Sequence, residues 1–97
     1  MAAKIDVQIL KEGEYRVRVR EGASETVHTV TLQPSVLQKL AGGNAENLLR
    51  FSFEFLLERE PKESILARFD LPVIARYFPE YEREISRRLQ THMRSDK

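Results

Sequence analysis

Residues 65–79, ILARFDLPVIARYFP, nearly repeat themselves. Ile65-Leu66-Ala67-Arg68-Phe69 is echoed eight residues on by Val73-Ile74-Ala75-Arg76-Tyr77, and each copy runs into a proline, Pro72 or Pro79. As helices, the two copies offer the same i, i+1, i+4 apolar triad, Ile65-Leu66-Phe69 and Val73-Ile74-Tyr77, and turn Arg68 and Arg76 to water. A residue before proline is pushed out of the α region, so Glu60, Leu71 and Phe78 are expected breaks. The pattern predicts a helix near 61–69, a short one near 72–77 capped by the Asp70 carboxylate, and a longer one from 79 to about 92. Such a bend needs an apolar element to wrap.

That element is residues 44–60, NAENLLRFSFEFLLERE, which Asn44 caps. Leu48, Leu49, Phe51, Phe53, Phe55, Leu56 and Leu57 cover most of its circumference, while Glu46, Arg50, Glu54 and Glu58 form one narrow i, i+4 stripe. Burying a large apolar side chain contributes about 1.5–3 kcal/mol, so leaving several of these in water would consume a typical domain's whole margin. A sheet is expected on one side of this rod, the C-terminal helices on another and a partner on a third. Before it, Pro34 opens a short helix carrying Val36, Leu37 and Leu40, and Gly42-Gly43 ends it. After it, Tyr81, Ile85, Leu89 and Met93 make a seam on the last helix, with Glu84 one turn before Arg88 on its wet side.

The first third has a different period. Ile5, Val7 and Ile9 alternate with Lys4, Asp6 and Gln8, and Tyr15, Val17 and Val19 alternate with Arg16, Arg18 and Arg20, as in half-buried strands. Putting both apolar sets on one face pairs Ile9 with Tyr15 and Val7 with Val17. Lys11-Glu12-Gly13 then forms a three-residue loop, with Gly13 where a left-handed residue is needed. A third strand over 26–32 follows the loop Gly22-Ala23-Ser24-Glu25. It would set Val30 opposite Val17 and Leu32 opposite Tyr15, with His28 on the inner face beside Val19. Its edge has no lysine, proline or bulge to blunt it, so a C-terminal helix or a second copy of the strand is expected to cover it.

The fold class is therefore α+β: a three-stranded antiparallel meander in order 1-2-3, followed by four to five helices packed on one face. The chain reads as a single domain over 1–97, with the meander in 1–33, helices in 34–97 and a frayed tail at 93–97. There is no cysteine, no apolar leader and no window near the roughly 20 apolar residues of a membrane span, which suggests a cytoplasmic protein. Charge is balanced, with a formal net of +1. Only the tail over 83–97 is distinctly basic, and cations are at home near a helix C-terminus.

No catalytic nucleophile with its base, metal-ligand spacing or phosphate loop stands out. Neither His28 nor His92 has a second ligand at helical spacing, and Gly42-Gly43-Asn44 reads as two caps. The expectation is a non-enzymatic protein with no cofactor and no metal, binding another protein, itself as a homodimer, or both. Candidate partner-surface residues are Val27, Thr29, Thr31, Tyr77, Phe78 and Tyr81.

The alternative is a DNA- or RNA-binding regulator using Arg16, Arg18 and Arg20 of the second strand with Arg83, Arg87 and Arg88 of the last helix. Residues 64–71, SILARFDL, loosely resemble the first helix and turn of bacterial helix-turn-helix regulators, which implies a reading unit near 62–77. Its second helix would present Pro72 and Val73 where base-reading polar groups belong. The sheet also lacks outward aromatics on which bases could stack.

Overall fold

The computed structural model describes residues 3–41 and 44–95, with side chains at 41 and 92–95 excepted. Gly42-Gly43 as a helix stop, the Met93 and His92 side chains and the last two residues of the basic tail thus lie outside the described residues. Strands β1 (Lys4–Lys11), β2 (Glu14–Glu21) and β3 (Ser24–Thr31) form the expected antiparallel meander. Four helices follow: α1 (Pro34–Ala41), α2 (Ala45–Leu57), α3 (Val73–Tyr77) and α4 (Tyr81–Ser95). The sheet gains a fourth strand, β4 (Arg68–Asp70), parallel to β3.

The first hairpin has the register that its pattern dictates, Ile9 opposite Tyr15 and Val7 opposite Val17, and Gly13 is left-handed at φ 80°. The second differs from expectation. Its turn is only Gly22-Ala23, closed by Glu21 opposite Ser24, so Val30 pairs with Tyr15, His28 with Val17 and Thr26 with Val19. A shift of two residues leaves each side chain on its own face. The hydrophobic pattern therefore does not sense the change, and the tight turn with Gly22 at φ 60° decides it.

The stretch expected as a helix over 61–69 is instead a 3-10 turn, Lys62–Ser64, and then an extended strap ending in β4. Thr29 N–H donates to Ala67 O at 2.8 Å and Leu71 N–H to Thr31 O at 3.0 Å. The undefended edge of β3 is thus closed over Thr29–Thr31 by neither a helix nor a second copy, but by the chain's own extended segment. Asp70 does not cap α3; its carboxylate accepts from the Thr31 hydroxyl, and α3 has no side-chain cap. Without two successive helices over 62–77, the helix-turn-helix unit does not form.

Helix α2 begins as expected, with Asn47 N–H donating to Asn44 Oδ1 at 3.0 Å and Arg50 paired to Glu46 at 3.0 Å. Its two fully buried phenylalanines point opposite ways. The Phe53 ring lies 5.3 Å from His28 and 6.1 Å from Phe69, on the sheet side. Phe55 meets Phe78 of the α3–α4 link and Tyr81 of α4 edge-on, at 5.9 and 5.4 Å. Between them Ser52 Oγ donates to Leu48 O at 2.7 Å, so Tyr81 Oη, 2.6 Å away, must donate to Ser52. Burial accordingly pushes the Tyr81 phenol pKa well up.

Helix α2 meets β1 at Ile5 and reaches His28 of β3 and Phe69 of β4 through Phe53. Arg50 Nη1 donates to Ile5 O at 2.6 Å, and Ile5 is buried. Further along β1, Val7 is half-buried and Ile9, expected in the core, is 70% exposed.

Because Phe53 is fully enclosed by sheet and helix, Phe53→Ala should lower stability by about 3–5 kcal/mol in urea unfolding followed by circular dichroism. A loss under about 1 kcal/mol would show that α2 is not the centre of the core.

Candidate functional site

Ahead of β4, the strap between α2 and α3 is pinned at three places. Lys62 is buried, and its ammonium lies 2.7 Å from Glu63 Oε2 and 3.5 Å from Glu21 Oε1, which ties the 3-10 turn to the β2–β3 hairpin. The hydrogen bond from Lys62 holds the Glu63 carboxyl below its usual range, and Glu63 in turn raises the lysine. His28 Nδ1 is 2.8 Å from Leu66 O and its Nε2 is 2.9 Å from Thr26 Oγ1. A carbonyl only accepts, so Nδ1 carries the proton; in the neutral ring, which burial favours, Nε2 then accepts from Thr26 and both nitrogens are engaged. The third pin is the main-chain bond from Thr29 to Ala67.

With its carbonyl held inward, Leu66 turns its side chain out, 49% exposed, towards Tyr77, 67% exposed. Beneath them lies a hollow of about 280 Å³ floored by Leu56, Ile65, Phe69, Ile74 and Phe78, with Glu60 and Ser64 its polar lining residues. Across the same Leu66–Tyr77 rim is a second, charged hollow lined by Thr31, Arg68, Asp70 and Arg76. One edge of the molecule thus offers an apolar slot and a polar slot divided by two exposed apolar side chains. This can hold an apolar anchor and an adjoining charge.

The six candidate partner residues do not form one patch. Tyr77 is on the rim, Phe78 is half-buried beneath it, and Thr31 lines the charged hollow. Thr29 is zipped to β4, Val27 is 43% exposed on the outer sheet face, and Tyr81 is 1% exposed and belongs to the core. Tyr81 is excluded from any surface because its seam with Ile85 and Leu89 faces α2. Leu66 was missed: Ile65 and Phe69 share a face in a strand as well as in a helix, but only the strand turns Leu66 outwards.

The arginines are also dispersed. Arg18 Nε and Arg20 Nη2 both lie 3.2 Å from Glu25 carboxylate oxygens, the former without the alignment of a hydrogen bond, and Arg68 lies 3.2 Å from Glu14. Arg18 thus turns to Glu25 rather than to Asp6 across the first hairpin. On α4, Arg87 pairs with Glu84 at 2.7 Å and Arg88 with Glu58 at 2.7 Å. Arg59 stacks 3.6 Å over Phe55, with Glu80 Oε2 3.2 Å away. Of the six candidates, only Arg16 and Arg83 have no described ion pair. The two sets are on different elements, one on β2 and one on α4, and Arg88 reaches back to Glu58 at the end of α2.

Among the described residues, no group of three or more His, Asp or Glu converges to hold a metal, and no helix is long and apolar enough to cross a membrane. Comparison with family models, curated proteins and solved structures finds no match to this chain.

Burial holds the His28 pKa below its ordinary 6.5, outweighing its bond to Leu66, which works the other way. The unfolded chain therefore takes up this proton first as pH falls, so the stability from the neutral ring is complete above pH 6.5 and declines below it. Glu63, Glu80 and Glu84 are held below their ordinary 4.5 and titrate at lower pH. The urea midpoint should fall between about pH 7 and pH 5, and fall less in His28→Gln, which retains a donor and an acceptor. Equal slopes would show that His28 titrates alike in both states.

Proposed function

We propose that this chain is a small, non-enzymatic interaction or regulatory protein that docks another protein at the β4–α3 edge. The supporting observation is the Leu66–Tyr77 rim over an apolar-floored hollow. Singly exposed apolar residues are ordinary, but two flanking one concavity form the kind of contiguous patch that partners cover. Aromatic side chains in such positions supply a large share of binding energy. The neighbouring Arg76 and Asp70 add polar contacts that would fix orientation.

The nucleic-acid reading has less support. Most of the candidate arginines are neutralised by carboxylates, and a phosphate backbone would have to displace Glu25, Glu84 and Glu58 from them.

Leu66→Glu and Tyr77→Ala alter exposed side chains and should change stability by no more than about 0.5 kcal/mol. In quantitative affinity capture beside wild-type bait, each should lose at least one protein by about tenfold or more, as expected for a central anchor. Identical retention by all three baits would reject the site. Capture dominated by nucleic acid and weakening steeply with salt would replace the reading by its alternative.

A further inference from the structure

We propose that two copies of this chain pair through β1, antiparallel about a two-fold axis, joining their sheets into one. Strand β1 is the outer strand at the end of the sheet opposite β4, so this contact is independent of the Leu66–Tyr77 hollow and leaves it open.

The main-chain directions follow from the tight turn. Glu21 opposite Ser24 closes a two-residue loop, so Glu21, Val19 and Val17 direct their main-chain groups to β3, and the alternate Arg20, Arg18 and Arg16 direct theirs to β1. Their partners Lys4, Asp6 and Gln8 are thereby engaged. Ile5, Val7 and Ile9 must point N–H and C=O away from the sheet, and Arg50 does find Ile5 O there. Val7 and Ile9 present four main-chain groups on an open edge, beside the 70% exposed Ile9 side chain and Leu10 at 37%. The strand irregularity lies beyond Ile9, so this stretch remains regular. A second strand would satisfy the main chain and cover Ile9 at once.

Self-pairing is favoured by register and charge. Setting Val7 opposite the partner's Val7 would need Ile5 O, which Arg50 already occupies. Setting Ile9 opposite the partner's Ile9 would bring Asp6 against the partner's Glu12. Setting Val7 opposite the partner's Ile9 uses only free groups in its two symmetric central pairs, and the next pair, Ile5 with the partner's Lys11, falls at the strand irregularity. It also brings Lys4 beside the partner's Glu12 at both ends. Gln8 then meets its own copy on the axis as a non-hydrogen-bonded pair, with Cα atoms about 4.5 Å apart, inside the range a disulfide spans.

The chain contains no cysteine, so Gln8→Cys introduces its sole thiol. Under mild oxidation Gln8→Cys should form a disulfide dimer at least tenfold faster than Asp6→Cys, whose position faces the partner's Leu10. Light scattering on the wild type should give about twice 11.3 kDa. Ile9→Lys should return the mass to that of one chain with an unchanged circular dichroism spectrum. The reduced cysteine variants should match the wild type in both measurements. A wild-type mass of 11.3 kDa at all concentrations, or equal cross-linking at positions 6 and 8, would overturn the proposal.

Discussion

Helix α2 has almost no side that can face water, and the rest of the molecule is arranged to enclose it. Phe53 requires a flat apolar surface on one side, which the inner face of the sheet provides through His28, Phe69 and the buried Val17, Val19 and Val30. Phe55 requires another on the opposite side, met by Phe78, Tyr81 and the Ile85–Leu89 seam of α4. Ser52, at 0% exposure between these layers, is tolerable because its hydroxyl both donates and accepts. Chain order then follows: strands first, the rod over them, and the C-terminal helices over the rod.

The strap after α2 shows how a few buried polar groups direct an exposed surface. Lys62, His28 and Thr29 anchor successive points of it to the hairpin and to β3. Each is satisfied, as burial demands, since an unpartnered polar group there would cost more than its bond contributes. Once these anchors hold the main chain extended, Ile65 and Phe69 face the core and Leu66 faces out. The apolar rim thus follows from the pairing of β4 with β3. Its main chain is held by these anchors, so the proposed docking site would not first have to be ordered.

Charge in this protein is mostly spent locally. Glu25 serves two arginines of β2, Glu14 serves Arg68 across the sheet, and Glu58 and Glu84 serve Arg88 and Arg87. Exposed pairs of this kind contribute little stability, about 0–1 kcal/mol each. Their larger effect is to flatten the surface potential around these arginines.

The local features were legible because they depend on near neighbours: the Lys4–Ile9 register against β2, left-handed Gly13, the Asn44 cap and the Tyr81–Leu89 seam. Period, turn chemistry and capping are written within a few residues of where they act. Three features needed the tertiary structure. The β3 register differs by two residues, which alternation cannot sense because both registers put the same side chains inside. Ile65–Phe69 is four apart, a spacing that serves one helix face and one strand face equally, so only the open edge of β3 makes 68–70 a strand. Ile9 alternates as a core residue but is exposed, because α2 meets β1 at Ile5 and passes from there to His28 and Phe69, and where a helix crosses a sheet is set by contacts 45 residues apart, such as Arg50 with Ile5.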